Sequence, residues 1–521
     1  MNLIILHYHL RPGGVRRVIE LATPFLLGKF KDTIQKVVLA TGEADDDAWN
    51  KQFRTLAGRV PVEFFVEPTF GYFSELKQPP DHLRIQIRAK IHQLLGDANG
   101  RQTVVWAHNL GIARNLILTR ELGHACDQLG VKLLSQHHDW WCENRWLRWP
   151  EMRRSGCATL TRAATAIFPP SEHVHHLAIN QCDTKVLQKH LGGRVSWLPN
   201  LARRIKPPAK ASIKNASNWI RAKLGGHDGP IWILPCRLLR RKNMAEALLL
   251  TRWLRPEAWL VTTGGVSSAD ELSYAKKLEQ EADKNGWRLR LGVLGEPGNQ
   301  PKPQVFDLMA ASECVIFTSI QEGFGLPYLE AAAMGRPLIA RNIPNIAPDL
   351  KRFGFKFPQS YEEILVSPEL FDWKAEVKRQ QLGFGKWKAK LPRACQLYAG
   401  IPTVLQSSKH PFPVPFSRLT LIAQMEILKQ PAGKSLSLCA KLNSFLETWR
   451  MLAAEGCLKT SSWPDTADRW LSGQAYAQRW ADAVTGEFSS PDLMSINSAQ
   501  NDLIRLKVAS EQLFPLLWSA S

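Results

Sequence analysis

Short β-branched apolar runs alternate with helix-length segments along this chain, and the alternation occurs in two blocks. NLIILHYH, IQKVVLA, VEFFV, TVVWAHN, KLLSQHHD and AIFPPS read as strands in the first two hundred residues. A polar, Pro- and Lys-rich stretch at roughly 205–230 interrupts the pattern, which resumes with IWILPC, WLVTTGG, LRLGVLG, CVIFTS and PLIA. Strands separated by helices pair in parallel, because the connection must cross back over the sheet before the next strand begins. The reading is therefore an α/β protein with two Rossmann-like, doubly wound parallel-sheet domains, at 1–205 and 206–379. From about residue 380 the sequence turns mainly helical and Trp-rich, as in LTLIAQMEILKQ and FLETWRMLAAEG, which predicts a helical C-terminal extension over 380–521.

With 521 residues and 45% hydrophobic content, the chain has enough apolar surface for at least two cores. No apolar run approaches the ~20 residues that span a bilayer, and the opening MNLIILHYHLRPGG reads as a strand, not as a secretion signal. Nine cysteines stand singly, with no C-x-x-C pair and no Cys/His spacing suited to zinc, so a reducing, cytoplasmic setting is expected. The formal charge of +20 suits an anionic partner. Its basic groups, RRSGCATLTR, ARRIKPPAKASIK, RLLRRKN and KWKAKLPR, are short and dispersed. They form no long block and no aromatic-interleaved stripe, which argues against nucleic acid. No amphipathic anchor stands out in the N-terminal half, so peripheral membrane contact is not favoured.

Ligands of open α/β sheets bind beyond the carboxyl ends of the strands, which directs attention to the loops there. SIQEGFGLPYLEAAAMGRPLI carries Glu322 and Glu330 on either side of a glycine-rich turn between a strand and a helix. Pro327 suits the first helical turn and Gly335 the position past the end, so a helix is expected from about Pro327 to Met334. The backbone N–H groups of Gly323, Phe324, Gly325 and Leu326 would then meet an anion at a helix N-terminus. Both carboxylates would accept hydrogen bonds from hydroxyls. A phosphate between two polyols is the outline of a nucleotide sugar.

Three more loops carry candidate chemistry. Gly13 and Gly14 open a helix after the first strand. Arg237 and Lys242 follow the strand IWILPC, where two cations can bracket a diphosphate. A third strand delivers His137, His138 and Asp139 to a loop holding Trp140, Trp141, Trp146 and Trp149. His138 can donate to a sugar hydroxyl, and the tryptophans either present flat faces to a ligand or pack in a core. The acidic run EADDDAW reads as a turn or helix N-cap and not as a metal site.

Together, EGFGLPYLEAAAMGRPLIARNIPNI closely resembles the E-x7-E signature of retaining glycosyltransferases of family 4, which have the GT-B fold of two Rossmann-like domains facing across a cleft. The likeness runs from the GG loop through WAHN, QHHD, FPPSEHV, VSWLPN and CRLLRRKN to about residue 360. It implies that Glu322 contacts the donor sugar, Glu330 the nucleotide ribose, and Arg237 with Lys242 the diphosphate. It also implies that Gly13 and Gly14 approach the phosphates or acceptor, and that His138 touches the sugar near the reacting carbon. The implied reaction moves a hexose from a nucleotide-diphosphate sugar, as co-substrate, to a hydroxyl of a small-molecule or glycan acceptor, with retention and without metal or other cofactor. A nucleotide-sugar epimerase or phosphorylase can share the fold, and charge alone motivates a non-catalytic polyanion-binding protein. Departures from the family pattern are Asn243 where glycine usually follows the lysine, Leu201 after Asn200 in place of glycine, and Tyr328 after LP.

Overall fold

The computed structural model describes residues 1–96, 103–143, 148–266, 269–296, 301–407 and 410–518; Trp146 lies outside them. The chain forms two compact units. The first comprises Met1–Ala202, Lys390–Tyr398 and Thr466–Val508; the second comprises Arg203–Ala389, Ala399–Asp465 and Ala509–Ser521.

The first unit is built on a parallel seven-stranded sheet: β1 (Asn2–Leu6), β2 (Lys36–Thr41), β3 (Val62–Val66), β4 (Thr103–His108), β5 (Lys132–His137), β6 (Val174–Ala178) and β7 (Val195–Trp197), in the order β3-β2-β1-β4-β5-β6-β7. Side chains of a strand point alternately to opposite faces, and here both faces are covered. Leu3, Ile5, Val37 and Leu39 join Val18, Ile19 and Leu26 of helix Gly14–Lys29 in one core. Ile4, Leu6, Val38 and Ala40 join Leu83, Ile87 and Ile91 of helix Pro80–Leu95 in the other.

The second unit repeats the plan with β8 (Ile231–Leu234), β9 (Trp259–Thr262), β10 (Leu289–Arg290), β11 (Cys314–Phe317), β12 (Leu338–Arg341) and β13 (Gln359–Tyr361). Their order is β10-β9-β8-β11-β12-β13, again parallel. These are two Rossmann-like sheets, as the alternation predicts. The strand order reverses between β1 and β4 in one sheet and between β8 and β11 in the other, which places a ligand crevice at the carboxyl ends of those pairs.

Three features differ from the sequence reading. AIFPPS is not a strand: its start closes helix Leu160–Ile167, which buries Ala163, Ala164, Ala166 and Ile167. The strand is instead VHHLA, whose two histidines mask an entirely buried segment. Within the polar, Pro- and Lys-rich stretch at roughly 205–230 lies helix Lys210–Lys223, with Ala216 and Ile220 buried. The region 380–521 is helical, but its segments are shared between the units. Helix Gly473–Thr485 buries Tyr476 and Trp480 in the first unit's core, whereas helix Leu421–Lys429 packs on helix Met244–Leu254 of the second. Among the described residues no helix is long and apolar enough to cross a membrane.

Candidate functional site

In the second unit, β8 runs out through Arg237 to Lys242 before helix Met244–Leu254 begins, and β11 runs out through Glu322 to Gly325 before helix Leu326–Ala333. Both loops leave the carboxyl ends of adjacent strands, at the reversal of strand order. They are stitched together: Ile320 N donates to Arg241 O at 2.9 Å, and Thr318 Oγ1 donates to Lys242 O and Asn243 O, each at 3.0 Å.

Glu322 is the centre of this arrangement. Arg241 Nη1 donates to its Oε2 at 2.9 Å, Lys242 Nζ donates to Oε1, and Asn345 Nδ2 donates to its backbone carbonyl at 2.6 Å. Burial would push the carboxyl pKa up, but Arg241 and then Lys242 outweigh it and hold it at about 2. Glu322 is therefore ionised at neutral pH and acts only as an acceptor. Lys242 is itself buried and also lies over the Phe317 ring.

The glycine-rich turn follows directly. Gly325 caps the helix with φ +81°, in the left-handed region, and the helix occupies Leu326–Ala333, one residue from the expected span. Gly335, with φ +60°, ends it. Phe324 is buried against Phe353. The N–H groups of Gly323, Phe324, Gly325 and Leu326 donate to no protein acceptor among the described residues. Glu330 lies partly exposed, one turn into the helix. A Cβ on Gly325 would lie 2.6 Å from Ile346 Cδ1 and 3.0 Å from Tyr328 Cδ2. Gly325→Ala is therefore expected to cost about 2–4 kcal/mol, from conformation and overpacking together. An unchanged urea midpoint would show that the turn relaxes without cost.

The departures in this unit have structural explanations. Asn243 adopts φ +49°, the conformation for which glycine is the usual choice and asparagine the commonest substitute, and its Nδ2 donates to Glu246 Oε2 at 3.0 Å. Tyr328 is buried, with its hydroxyl donating to Arg341 O. Arg341 in turn pairs with the fully buried Glu246 and with Glu363, so a buried charge network braces both loops from behind. A cavity of about 460 Å³ is lined by Ile320, Arg341, Asn342, Glu363 and Arg418. Glu363 already pairs with both arginines, so that cavity is no anion site.

Arg237 is exposed and makes no hydrogen bond or ion pair among the described residues. The cation that reaches Glu322 alongside Lys242 is Arg241, which sequence reasoning passed over. Its place in the run RRK, immediately before the left-handed Asn243, was the available signal.

In the first unit His138 follows β5. Its backbone N–H and that of Asp139 both donate to Asn109 Oδ1, at 3.0 and 2.9 Å. Its Nε2 lies 3.1 Å from His108 Nδ1, with the rings stacked. Burial lowers its pKa to about 4, against an opposing pull from Asp139, so the ring is neutral at pH 7. Gly13 has an extended φ of 172°, and a Cβ there or on Gly14 meets nothing closer than 3.7 Å. The backbone itself does not demand glycine at either position.

Trp140, Trp141 and Trp149 are core residues and not ligand platforms. Trp140 stacks on His137 at 4.3 Å and donates to Asp183 Oδ2 at 2.9 Å; Trp141 stacks on Trp149. In the acidic run, Asp46 caps helix Asp47–Ala57 by accepting from Trp49 N at 2.6 Å, and Asp45 pairs with Arg16.

Residues 217–352, which include both site loops, match the family described as Glycosyl transferases group 1. The matched segment lies wholly within the second unit. Over 379 residues the chain is 24% identical to a mannosylglucosyl-3-phosphoglycerate synthase of Petrotoga mobilis, covering 70% of this chain and 69% of that protein. It is also 26% identical over 260 residues to a mannosylglucosylglycerate synthase of Thermotoga maritima, covering 47% of this chain and 58% of the relative. The fold is similar to that of the N-terminal domain of Candida albicans trehalose-6-phosphate phosphatase, with TM-score 0.51, 8% identity, and 93% and 96% of the two chains covered. Arg237, Lys242, Glu322 and Glu330 all fall inside the matched segment. His138, Gly13 and Gly14 lie outside it.

Proposed function

We propose that this chain is a retaining hexosyltransferase that moves a sugar from a nucleoside diphosphate to a hydroxyl of a small polar acceptor, without a metal ion. The observation that carries this reading is Glu322, ionised between Arg241 and Lys242 and followed directly by four N–H groups with no protein acceptor among the described residues. A carboxylate that stays ionised at neutral pH carries no proton to donate and can only accept from sugar hydroxyls. The free N–H groups and the cations suit a leaving diphosphate, whose developing charge fixed donors stabilise by several kcal/mol. Glu330 is suited to the ribose. Two relatives named for making mannosylglucosyl-glycerate compounds support a hexosyl group and a small polar acceptor. In this mechanism the departing phosphate oxygen takes the acceptor proton on the same face of the sugar. Configuration is then retained without a protein base.

Arg237→Ala or Lys242→Ala is expected to weaken nucleoside diphosphate binding by roughly 1.5–3 kcal/mol, the scale of a charge-assisted hydrogen bond. The larger loss belongs to Lys242, which also leaves Glu322 with one cation fewer. Calorimetric titration measures both, and unchanged affinity in both variants removes these cations from the ligand site.

Reaction of an α-linked nucleotide sugar in excess chelator should yield an α-linked product, read from its anomeric proton by NMR. A β-linked product would exclude retention. Activity lost on chelation and restored by magnesium or manganese would exclude metal-independent transfer.

A further inference from the structure

We infer that His108 is a positioning residue that fixes the tautomer of His138, so that His138 carries its proton on Nδ1 and offers that N–H outward as a donor. His108 ends β4 and is fully buried, whereas His138 follows β5, the neighbouring strand, and is partly exposed. The two rings share one hydrogen bond, His108 Nδ1 to His138 Nε2 at 3.1 Å, and between neutral rings it needs a single proton.

Two placements of that proton are available. If His138 Nε2 held it, His108 would accept at Nδ1, and its own proton would sit on Nε2. That nitrogen is buried with no partner among the described residues, so the arrangement leaves an orphaned buried N–H, the rarer and costlier kind of unmade hydrogen bond. If His108 Nδ1 holds the proton, Nε2 is left as a bare lone pair and no donor is stranded. The second arrangement wins, and it makes His138 Nε2 an acceptor. The remaining proton of the neutral His138 ring is then on Nδ1, which makes no hydrogen bond among the described residues.

His108 is itself held in place. His7 Nδ1 lies 3.1 Å from the His108 carbonyl, and since a carbonyl only accepts, His7 must donate there. Asn109, next in the chain, adopts a left-handed φ of 63° and receives the backbone N–H groups of His138 and Asp139. The tautomer follows from these contacts alone. Its use as a donor to a substrate hydroxyl rests on the function proposed above.

The test is ring-¹⁵N histidine labelling of the full chain with long-range proton–nitrogen spectra at about pH 7.5, the His138 signals being assigned by their loss in His138→Gln. The expected result is a pyrrole-like shift at Nδ1 and a pyridine-like shift at Nε2, the reverse of the form that free histidine prefers. His108→Asn keeps a donor where Nδ1 stood and should preserve that pattern; His108→Leu removes it and should release His138 to the Nε2–H form. A wild-type His138 protonated on Nε2 overturns the inference. So does a pattern that His108→Leu leaves unchanged. If His108→Leu does not fold, wild type and His108→Asn still decide the tautomer. Under the proposed function, kcat/KM for sugar transfer should fall tenfold or more in His108→Leu and recover in His108→Asn, the scale expected when a functional imidazole loses its outer partner. Failure of every variant, wild type included, to transfer sugar would count against the proposed function while leaving the tautomer as the spectra show it.

Discussion

Acidification from about pH 7.5 to about pH 5 is expected to unfold the first unit. Seven of the chain's 14 histidines, His7, His9, His108, His137, His138, His175 and His176, have pKa values lowered chiefly by burial, and all seven belong to that unit. The values fall to about 3 for His7, His137 and His175, and to about 4 for His138. In the unfolded chain each ring takes a proton near pH ~6.5. Between that value and the folded pKa the unfolded state binds more protons, so stability falls as pH falls, by about 1.4 kcal/mol per histidine per pH unit. Above pH ~6.5 both states are neutral and the effect vanishes. At about pH 5.5 the four histidines with stated values remove roughly 5–6 kcal/mol, comparable to the whole stability of many domains. Glu322, in the other unit, has its pKa lowered to about 2, so its contribution is lost only as pH falls from about 4 towards 2. Far-ultraviolet circular dichroism and tryptophan fluorescence between pH 8 and 4 measure the transition. Signals that stay level down to about pH 4.5 would contradict it.

Lys507→Met is expected to destabilise the same unit by about 3–5 kcal/mol. Lys507 closes helix Leu493–Lys507 and is buried, with Nζ 2.8 Å from both Glu143 Oε1 and Asp183 Oδ1. Burial would lower its pKa, but Asp183 and Glu143 outweigh burial and raise it, so the group stays charged. Removing it takes away the buried cation that both carboxylates share. Asp183 also accepts from Trp140 Nε1, so Lys507 anchors the segment that follows His138. Urea unfolding at about pH 7.5 gives the magnitude. Adding Glu143→Gln and Asp183→Asn to Lys507→Met should recover part of the loss, because the cost lies in two buried carboxylates deprived of their shared cation. A loss under about 1 kcal/mol for the single variant would show that water reaches the site.

The sequence by itself determined the two parallel sheets, because alternation of strand and helix periods is a property of near neighbours along the chain. It determined the glycine-rich turn and its helix for the same reason: Pro327 and Gly335 act within one turn of where they stand. Asp46 as a helix cap was legible on the same terms. Tertiary structure alone decided which cation meets Glu322. Arg241 and Glu322 are 81 positions apart and meet because β8 and β11 are adjacent, and which side chain of RLLRRK turns inward depends on the short helix that ends at the left-handed Asn243. The burial of Trp140, Trp141 and Trp149, and of the histidines in VHHLA, was equally beyond local reading. A side chain that is half apolar and half polar goes inside only where the fold supplies a partner, as Asp183 does for Trp140 and His137 for His176. The same cause divides the C-terminal helices between the units: each has an apolar face, and only the folded sheets and helices determine where that face finds cover.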